Sequence, residues 1–453
     1  MRAALYSLIA LTVATPALAA PLDTAAIDRA AAEILKTTQV PSASIAVVQG
    51  GRIVYSRAYG QQAPGKAAVA QARYPIASIS KQITATAILM LVDEGKLSLD
   101  DKVSKFLPEL TDAGKITVAQ VLNHTSGYRD YWPQDYSFAD MARPVTPQEI
   151  LDRWAKAPLD FAPGSQWQYS NTGYVIAGQI VEKVSGEPLM AFLTKRVFQP
   201  LGMTTAVDAD TGMTAADAVP HMRYALGPVR VERPAAPGWL FAAGELAMTA
   251  DDLARWDIGM IDAKLLTPAS YKAQQTAAVL TSGKSTGYGL GIEVGDVDGH
   301  RRFEHGGEAV GFLSENRVYP DDRAAIVVAV NGDFGDAQDA IADRIEAQLF
   351  PQANKTARAR AVFDMLRAGK IDRSQFTTNG NFYFTPTAIA DYQASLAPLG
   401  QPTGFRQRGA SLRGGFTSEV YTVTYPGRTL TIVLRAEPGA SGKIEQFTVY
   451  PAG

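Results

Sequence analysis

Three short stretches of this chain carry side chains that could perform acyl transfer together. In the first, Ser78-Ile79-Ser80-Lys81, a hydroxyl and an amine stand three residues apart, one turn of a helix and on one face of it. A serine hydroxyl is a poor nucleophile until a base takes its proton. A lysine serves as that base only where burial or nearby positive charge lowers its pKa. The second stretch holds Tyr169 and Asn171 in a loop before a helix expected from about Gly173. A phenol beside a lysine ammonium has its own pKa pulled down and passes protons. Asn171 offers a donor and an acceptor, suited to orienting an amine and a substrate amide. The third stretch is His305-Gly306-Gly307-Glu308, on a strand edge. Two glycines there let a substrate backbone approach closely, and His305 presents a donor to it. The Glu308 backbone N–H pairs with that of Ser78 to hold an oxyanion.

Each stretch alone also has a plain structural reading. About one S-x-x-K is expected by chance in a chain of this length, and Ser78 would serve equally as a helix cap. Tyr169 and Asn171 read as a packed ring and a turn former, and the glycine pair as a turn beside an exposed histidine. The four histidines, His124, His221, His300 and His305, show no H-x-x-x-H or H-E-x-x-H spacing, so no metal site is expected.

The elements that must position these groups follow from periodicity and breakers. Residues 24–37 have helical spacing. Ser44 to Gln49 and Ile53 to Gly60 are strand-like and joined at Gly50-Gly51, a hairpin signal. A long apolar helix is expected from Ser78 to Glu94, stopped by Gly95. Helices separated by Gly/Pro loops run from Val103 to about Met260. Strands return from Tyr288 to Val330, and a helix closes the region at Asp336 to Leu349. This order predicts one sheet built from both ends of the domain, covered by helices, with an all-α lobe inserted. A polar break at Pro351 to Lys355 marks a boundary. Beyond it, helices at Ala357 to Gly369 and Thr387 to Leu396 precede strands at Glu419 to Tyr425, Arg428 to Arg435 and Ile444 to Tyr450, a small α+β domain. The expected segments are 1–19, 20–350 and 356–453.

At 453 residues, 46% of them hydrophobic, the chain is long enough for two domains. A formal net charge of −2 and the lack of a basic stripe argue against nucleic acid. Cysteine is absent, which removes disulfides and thiol nucleophiles. Arg2, the apolar run Ala3 to Ala14 and Ala17-Leu18-Ala19 read as a secretory leader cleaved near Ala19/Ala20. That run is too short to span a bilayer. The expected location is periplasmic or secreted, with no membrane span in the mature chain.

Taken together and in this order, the motifs make the region from about 24 to 350 resemble the serine β-lactamase-related family, which includes class C β-lactamases, DD-peptidases, D-aminopeptidases and esterases. S-x-x-K matches Ser78 and Lys81, Y-x-N matches Tyr169 and Asn171, and H-x-G matches His305 and Gly307. Supporting stretches are Val121 to Gly127 (VLNHTSG), Pro200 to Met203 and Ala242-Ala243-Gly244. The resemblance implies a β-lactamase/transpeptidase-like fold, an antiparallel sheet flanked by helices, and an acyl-enzyme on Ser78. Lys81 and Tyr169 relay the proton, and Tyr169 is the base in deacylation. It implies substrate contacts from Asn171, His305, Gly306, Gly307 and Glu308, no cofactor, and a small ester, amide or peptide substrate. His124 reads as packing, while Trp167, Tyr131 and Trp132 are open between cleft lining and covering the lobe. Two departures stand out. His305 replaces the lysine with which β-lactamases clamp a carboxylate, and being largely neutral at pH 7 it favours esters or D-amino-acid amides over β-lactams. Glu245 stands where glycine usually follows Ala-Ala-Gly, and either alters the cleft charge or faces solvent. The alternatives are a β-lactamase or DD-carboxypeptidase, and a penicillin-binding sensor or scaffold without turnover. The C-terminal segment resembles a cystatin- or NTF2-like fold, which says nothing of activity.

Overall fold

The computed structural model describes residues 21–297, 299–350, 355–438 and 442–451. The expected leader and residues 351–354 of the expected break lie outside these. The chain divides into two compact units, the first ending at Leu349 and the second beginning at Phe350.

The first unit is organised by an antiparallel sheet drawn from both ends of its sequence. Helix α1 (Thr24–Thr38) is capped by Asp23, whose carboxylate accepts the Ala26 N–H. It precedes the hairpin of β1 (Ser42–Gln49) and β2 (Arg52–Ala63), with a short β3 (Lys66–Ala67) on the outer edge. The late strands are β4 (Glu293–Val297), β5 (His300–Ala309), β6 (Phe312–Tyr319) and β7 (Ala324–Val330). The order across the sheet is β3-β2-β1-β7-β6-β5-β4, with Ile45 opposite both Arg57 and Val328. β1 and β7 are buried along almost their whole length, as central strands covered on both faces are.

Helix α2 (Ser80–Asp93) is buried from Ser80 to Leu91. Small residues at Thr84, Ala85 and Ala87 let its neighbours come close all round. Helix α3 (Asn171–Ser185) packs on it from the helical lobe, and α4 (Ala250–Ile261) and α5 (Ala337–Leu349) pack against the sheet. The lobe expected to be all helical also contains short pairings: Leu246–Met248 lies between Tyr74–Pro75 and Val207–Asp208.

In the second unit an antiparallel sheet of β8 (Gly404–Arg413), β9 (Phe416–Tyr425), β10 (Arg428–Ala436) and β11 (Ile444–Pro451) pairs in sequence order. Helices α6 (Lys355–Arg367) and α7 (Pro386–Leu396) accompany it. Its core includes Val362, Phe363, Tyr421, Ile432 and Phe447. Thr378–Tyr383 is a further short helix, capped by Thr377; its Asn-Gly content hid it among turn signals.

Candidate active site

Ser78 does not open the long helix as its spacing suggests. It sits in a 3-10 turn, Ala77–Ile79, with α2 beginning at Ser80 and no side-chain cap on either. Ala77, immediately before it, holds φ at +48°, a left-handed conformation that costs an alanine free energy. The turn is fastened on several sides. The Ser314 hydroxyl donates to Ile76 O at 3.0 Å, the Ile76 N–H to Leu246 O at 2.9 Å, and the Leu246 N–H to Ser80 Oγ at 3.2 Å. Gly307 lies directly against it: a Cβ there would stand 2.2 Å from both Ile76 O and Ser314 Oγ. A Cβ at Gly306 would meet nothing nearer than 3.6 Å. The glycine at Gly307 thus admits the nucleophile's own turn.

Lys81 is buried in α2, and its Nζ touches three oxygens: Ser78 Oγ at 2.9 Å, Asn171 Oδ1 at 2.8 Å and Ala243 O at 2.7 Å. Burial pulls its pKa down to about 7, against the opposing charge of Asp130. A neutral amine has two N–H donors and one lone pair. Two of its three neighbours are carbonyl oxygens that can only accept. The lone pair is therefore left for Ser78, the one neighbour with a proton to give. In its free-base form the amine is aimed to deprotonate the nucleophile.

Asn171 is the first residue of α3, behind the N-cap Ser170, rather than part of the preceding loop. Its N–H donates to Asp130 Oδ1 at 2.9 Å and its Nδ2 to Asp130 Oδ2 at 3.3 Å. These bonds fix the amide so that Oδ1 faces the amine. Asp130 was not legible as a site residue. It sits 41 positions before Asn171 in sequence, and only the fold joins them.

Tyr169 meets the same centre, with Lys81 Nζ 4.8 Å from its ring centroid, and it lines the same cavity as Ser78. Its phenol is pushed up, not down. Burial dominates, and the Ser78 hydroxyl nearby opposes it only in part. The expected acidic phenol is replaced by a protonated one, because burial of the phenol itself outweighs what its neighbours offer the phenolate. His124 grips this tyrosine from behind. Its carbonyl accepts the Gln168 N–H at 3.0 Å, its Nδ1 accepts the Ser170 N–H at 3.1 Å, and its ring lies 4.4 Å from that of Tyr169. Trp167 stacks near His124 and Tyr288 and lies outside the cleft lining.

His305 is buried and does not present a donor to the cleft. Its Nδ1 lies 2.5 Å from Gly306 O and so carries the proton, and its Nε2 lies 2.8 Å from Tyr288 Oη, whose hydroxyl it accepts. Burial and Lys81 lower its pKa to about 4. The β4 pairing of β5 covers only His300 to Glu304, so the stretch from His305 to Ala309 continues past β4. Glu245 neither faces solvent nor lines the cleft. It is buried, its Oε1 is unpartnered, and desolvation with the nearby Asp208 pushes its pKa to about 8.

A cavity of about 420 Å³ opens over the nucleophile, lined by Ser78, Tyr169, Asn171, Tyr131, Trp132 and Glu308 among others. Tyr131 and Trp132 are thereby cleft residues.

A serine and a buried amine in contact, beneath a cavity at the edge of a helix-flanked antiparallel sheet, define a serine-hydrolase class of site on a β-lactamase/transpeptidase-like fold. The chain belongs to the Beta-lactamase family, whose model matches residues 27–349. It is 28% identical over 339 residues to a D-aminopeptidase of Brucella canis, an alignment covering 71% of this chain and 62% of that protein. The chain thus spans about three-fifths of the length of the curated relatives it matches. Among solved structures, a D-stereospecific amidohydrolase from Streptomyces sp. aligns at TM-score 0.63 and 29% identity over 73% of this chain and 100% of its own. The octameric penicillin-binding protein homologue from Pyrococcus abyssi aligns at TM-score 0.64 and 20% identity over 95% of this chain and 97% of its own, a likeness of fold.

Proposed function

We propose that the protein is an exported serine hydrolase that cleaves small esters or D-amino-acid amides and peptides through an acyl-enzyme on Ser78. The observation that carries this is the 2.9 Å contact between Ser78 Oγ and a Lys81 amine held near neutrality by burial. In acylation, the Ser78 proton passes to the Lys81 lone pair as Oγ bonds to the substrate carbonyl carbon. The carbonyl oxygen becomes an oxyanion, held by the backbone N–H groups of Ser78 and Glu308. The tetrahedral species collapses as the bond to the leaving amine or alkoxide breaks. The leaving group takes the Tyr169 proton, and Lys81 returns its own proton to Tyr169. Water then attacks the acyl carbon and gives its proton to Lys81; this second tetrahedral species collapses as its bond to Ser78 Oγ breaks, Oγ takes that proton back from Lys81, and the acid leaves. The raised phenol of Tyr169 suits it to carry a proton rather than to act as the base, which assigns that role to Lys81 in both halves.

The D-amino-acid specificity rests on the named activities of the relatives. Export rests on the leader read in the sequence; among the described residues no helix is long and apolar enough to cross a membrane. Short p-nitrophenyl esters and D-amino-acid amides, assayed with the wild type beside Ser78→Ala, test the reading. Equal rates for the two proteins end it.

A further inference from the structure

A second cavity, of about 330 Å³, adjoins the one over Ser78. Trp132, Leu240, Ala309 and Val310 line both, so the two are neighbouring compartments with a shared wall. Their linings differ in kind. The second is walled almost wholly by hydrocarbon, including Pro75, Met213, Pro220, Ala235 and Phe312. Its one ionisable residue, Asp210, has Oδ2 occupied by the Gly238 N–H at 2.7 Å. The lining of the cavity over Ser78 includes instead Asp135 and Glu308, and Asp130, whose two oxygens are already held by Asn171. Among the described residues no Lys, Arg or His lines either cavity. Lys81 and His305 lie buried beneath, and burial drives both toward the neutral form.

We infer that this paired cleft selects substrates bearing both an apolar side chain and a free, protonated amine: unblocked amides, esters or peptides of apolar amino acids. The hydrocarbon compartment takes the side chain, as apolar pockets beside a reacting centre do. The amine stays in the compartment over Ser78, beside Asp135 and Glu308, for which the lining supplies no cation. Two features support this beyond the lining. Glu308 is held above the usual carboxylate range by burial and by Asp135, Asp333 and Asp336, a repulsion that an incoming ammonium relieves. The same charges oppose a substrate carboxylate, and nothing in the lining offers the clamp that such a group requires. Like-charge juxtaposition is an effective means of rejecting a competitor. The inference rests on Ser78 hydrolysis and adds the identity of the acyl group to it.

The test uses the full chain at pH 7 with D-leucine p-nitroanilide in three forms: free amine, N-acetyl and N-succinyl. These place a cation, a neutral group and an anion at the same position. The expected order of kcat/KM is free amine, then acetyl, then succinyl, with about ten-fold or more between the ends. Glu308→Gln combined with Asp135→Asn shrinks that span. Free D-leucine p-nitroanilide exceeds the D-alanine compound by about ten-fold or more, the scale of filling an apolar pocket. Ala235→Trp, which fills the second cavity, collapses the leucine preference, and Met213→Ala, which enlarges it, shifts preference toward D-phenylalanine. Hydrolysis of p-nitrophenyl acetate by the wild type and by Ser78→Ala separates the two levels. Ser78-dependent acetate hydrolysis with no charge order, or with the succinyl compound favoured, overturns the cleft assignment and leaves the hydrolase standing. Loss of Ser78 dependence overturns both.

Discussion

Replacing Asp130 by asparagine tests how the Lys81 amine is kept near neutrality. An ordinary lysine is one free base in roughly three thousand at pH 7, whereas an amine with a pKa of about 7 is half free base there. That difference corresponds to roughly 5 kcal/mol of differential solvation, supplied here by complete burial in α2. Asp130 is the charge that works against it, favouring the ammonium. Asp130→Asn keeps an oxygen for the N–H groups of Asn171 and Trp132 and removes the charge, so Lys81 falls below 7. The readout is kcat/KM for a neutral ester between pH 5 and 9, which reports ionisation of the free enzyme. The wild type is expected to lose activity ten-fold per pH unit below about 7, and the variant to begin that loss at lower pH.

The site supplies its own competitor for this assignment. His305, at about 4, and His124, held well below its usual value by burial, titrate outside the window. Glu308, at about 7, lies inside it. An amine ionises with a large heat and a carboxyl with almost none, so the limb moves markedly with temperature if Lys81 is responsible. A limb near 7 that ignores temperature, stays put in Asp130→Asn and vanishes in Glu308→Gln refutes the amine as base. A limb that rises in Asp130→Asn refutes the electrostatic account of Asp130.

Gly307→Ala should cost about ten-fold or more in kcat by pushing the Ile76–Ser78 turn off β5, while Gly306→Ala stays near wild type; equal losses would contradict the packing described. Glu245 binds more protons folded, at about 8, than unfolded, near 4.5, so stability falls as pH rises from 4.5 to 8 by up to roughly 5 kcal/mol. Glu245→Gln flattens this slope in urea denaturation at pH 5 and pH 7, below the window from 7 to 10.5 in which Lys81 makes stability rise with pH. His124→Leu removes the acceptor for the Ser170 N–H and should lower kcat by ~10²-fold with KM little changed. His124→Asn restores that acceptor and tolerates the φ of +61° held there, so it should recover much of kcat; failure to recover would assign His124 to packing alone.

What could be read from sequence was whatever the local chain carries by itself. Ser78 and Lys81 keep their shared face although the α-helix starts two residues late, because a 3-10 turn entering an α-helix preserves the i, i+3 relation. The two-ended sheet was legible because its central strands, β1 and β7, are apolar runs, one near each end of the domain. The missed features are non-local. Asp130 and Tyr288 act through partners far away in sequence, and His124 was read as packing because its hold on both flanks of Tyr169 exists only after folding. The direction of the Tyr169 shift was wrong for the same reason. It turns on how deeply the phenol itself is buried, which no motif encodes. His305 shows the converse: its type was informative about charge, while its orientation, toward Tyr288 and Gly306 O, belongs to the packed strand.

The charge state of the folded site has a consequence for how the proposed reaction is driven. At neutral pH the phenol and both imidazoles beneath the cleft are uncharged, Lys81 is at its midpoint, and the carboxyl groups are on the cleft lining. Positive charge therefore forms at the centre when the Ser78 proton moves onto Lys81, in the same step that creates an oxyanion at the substrate. An ammonium present beforehand would bind ground-state and transition-state substrate alike and leave Ser78 without a base. An ammonium that forms with the oxyanion is paid out only along the reaction coordinate, in a dry pocket where Coulomb attraction is strong. Burial of Lys81 thus both frees its lone pair and confines its charge to the transition state, so a polar substitution that hydrates this pocket, such as Ala85→Ser on the buried face of α2, should raise the pKa of the limb and lower the plateau rate together.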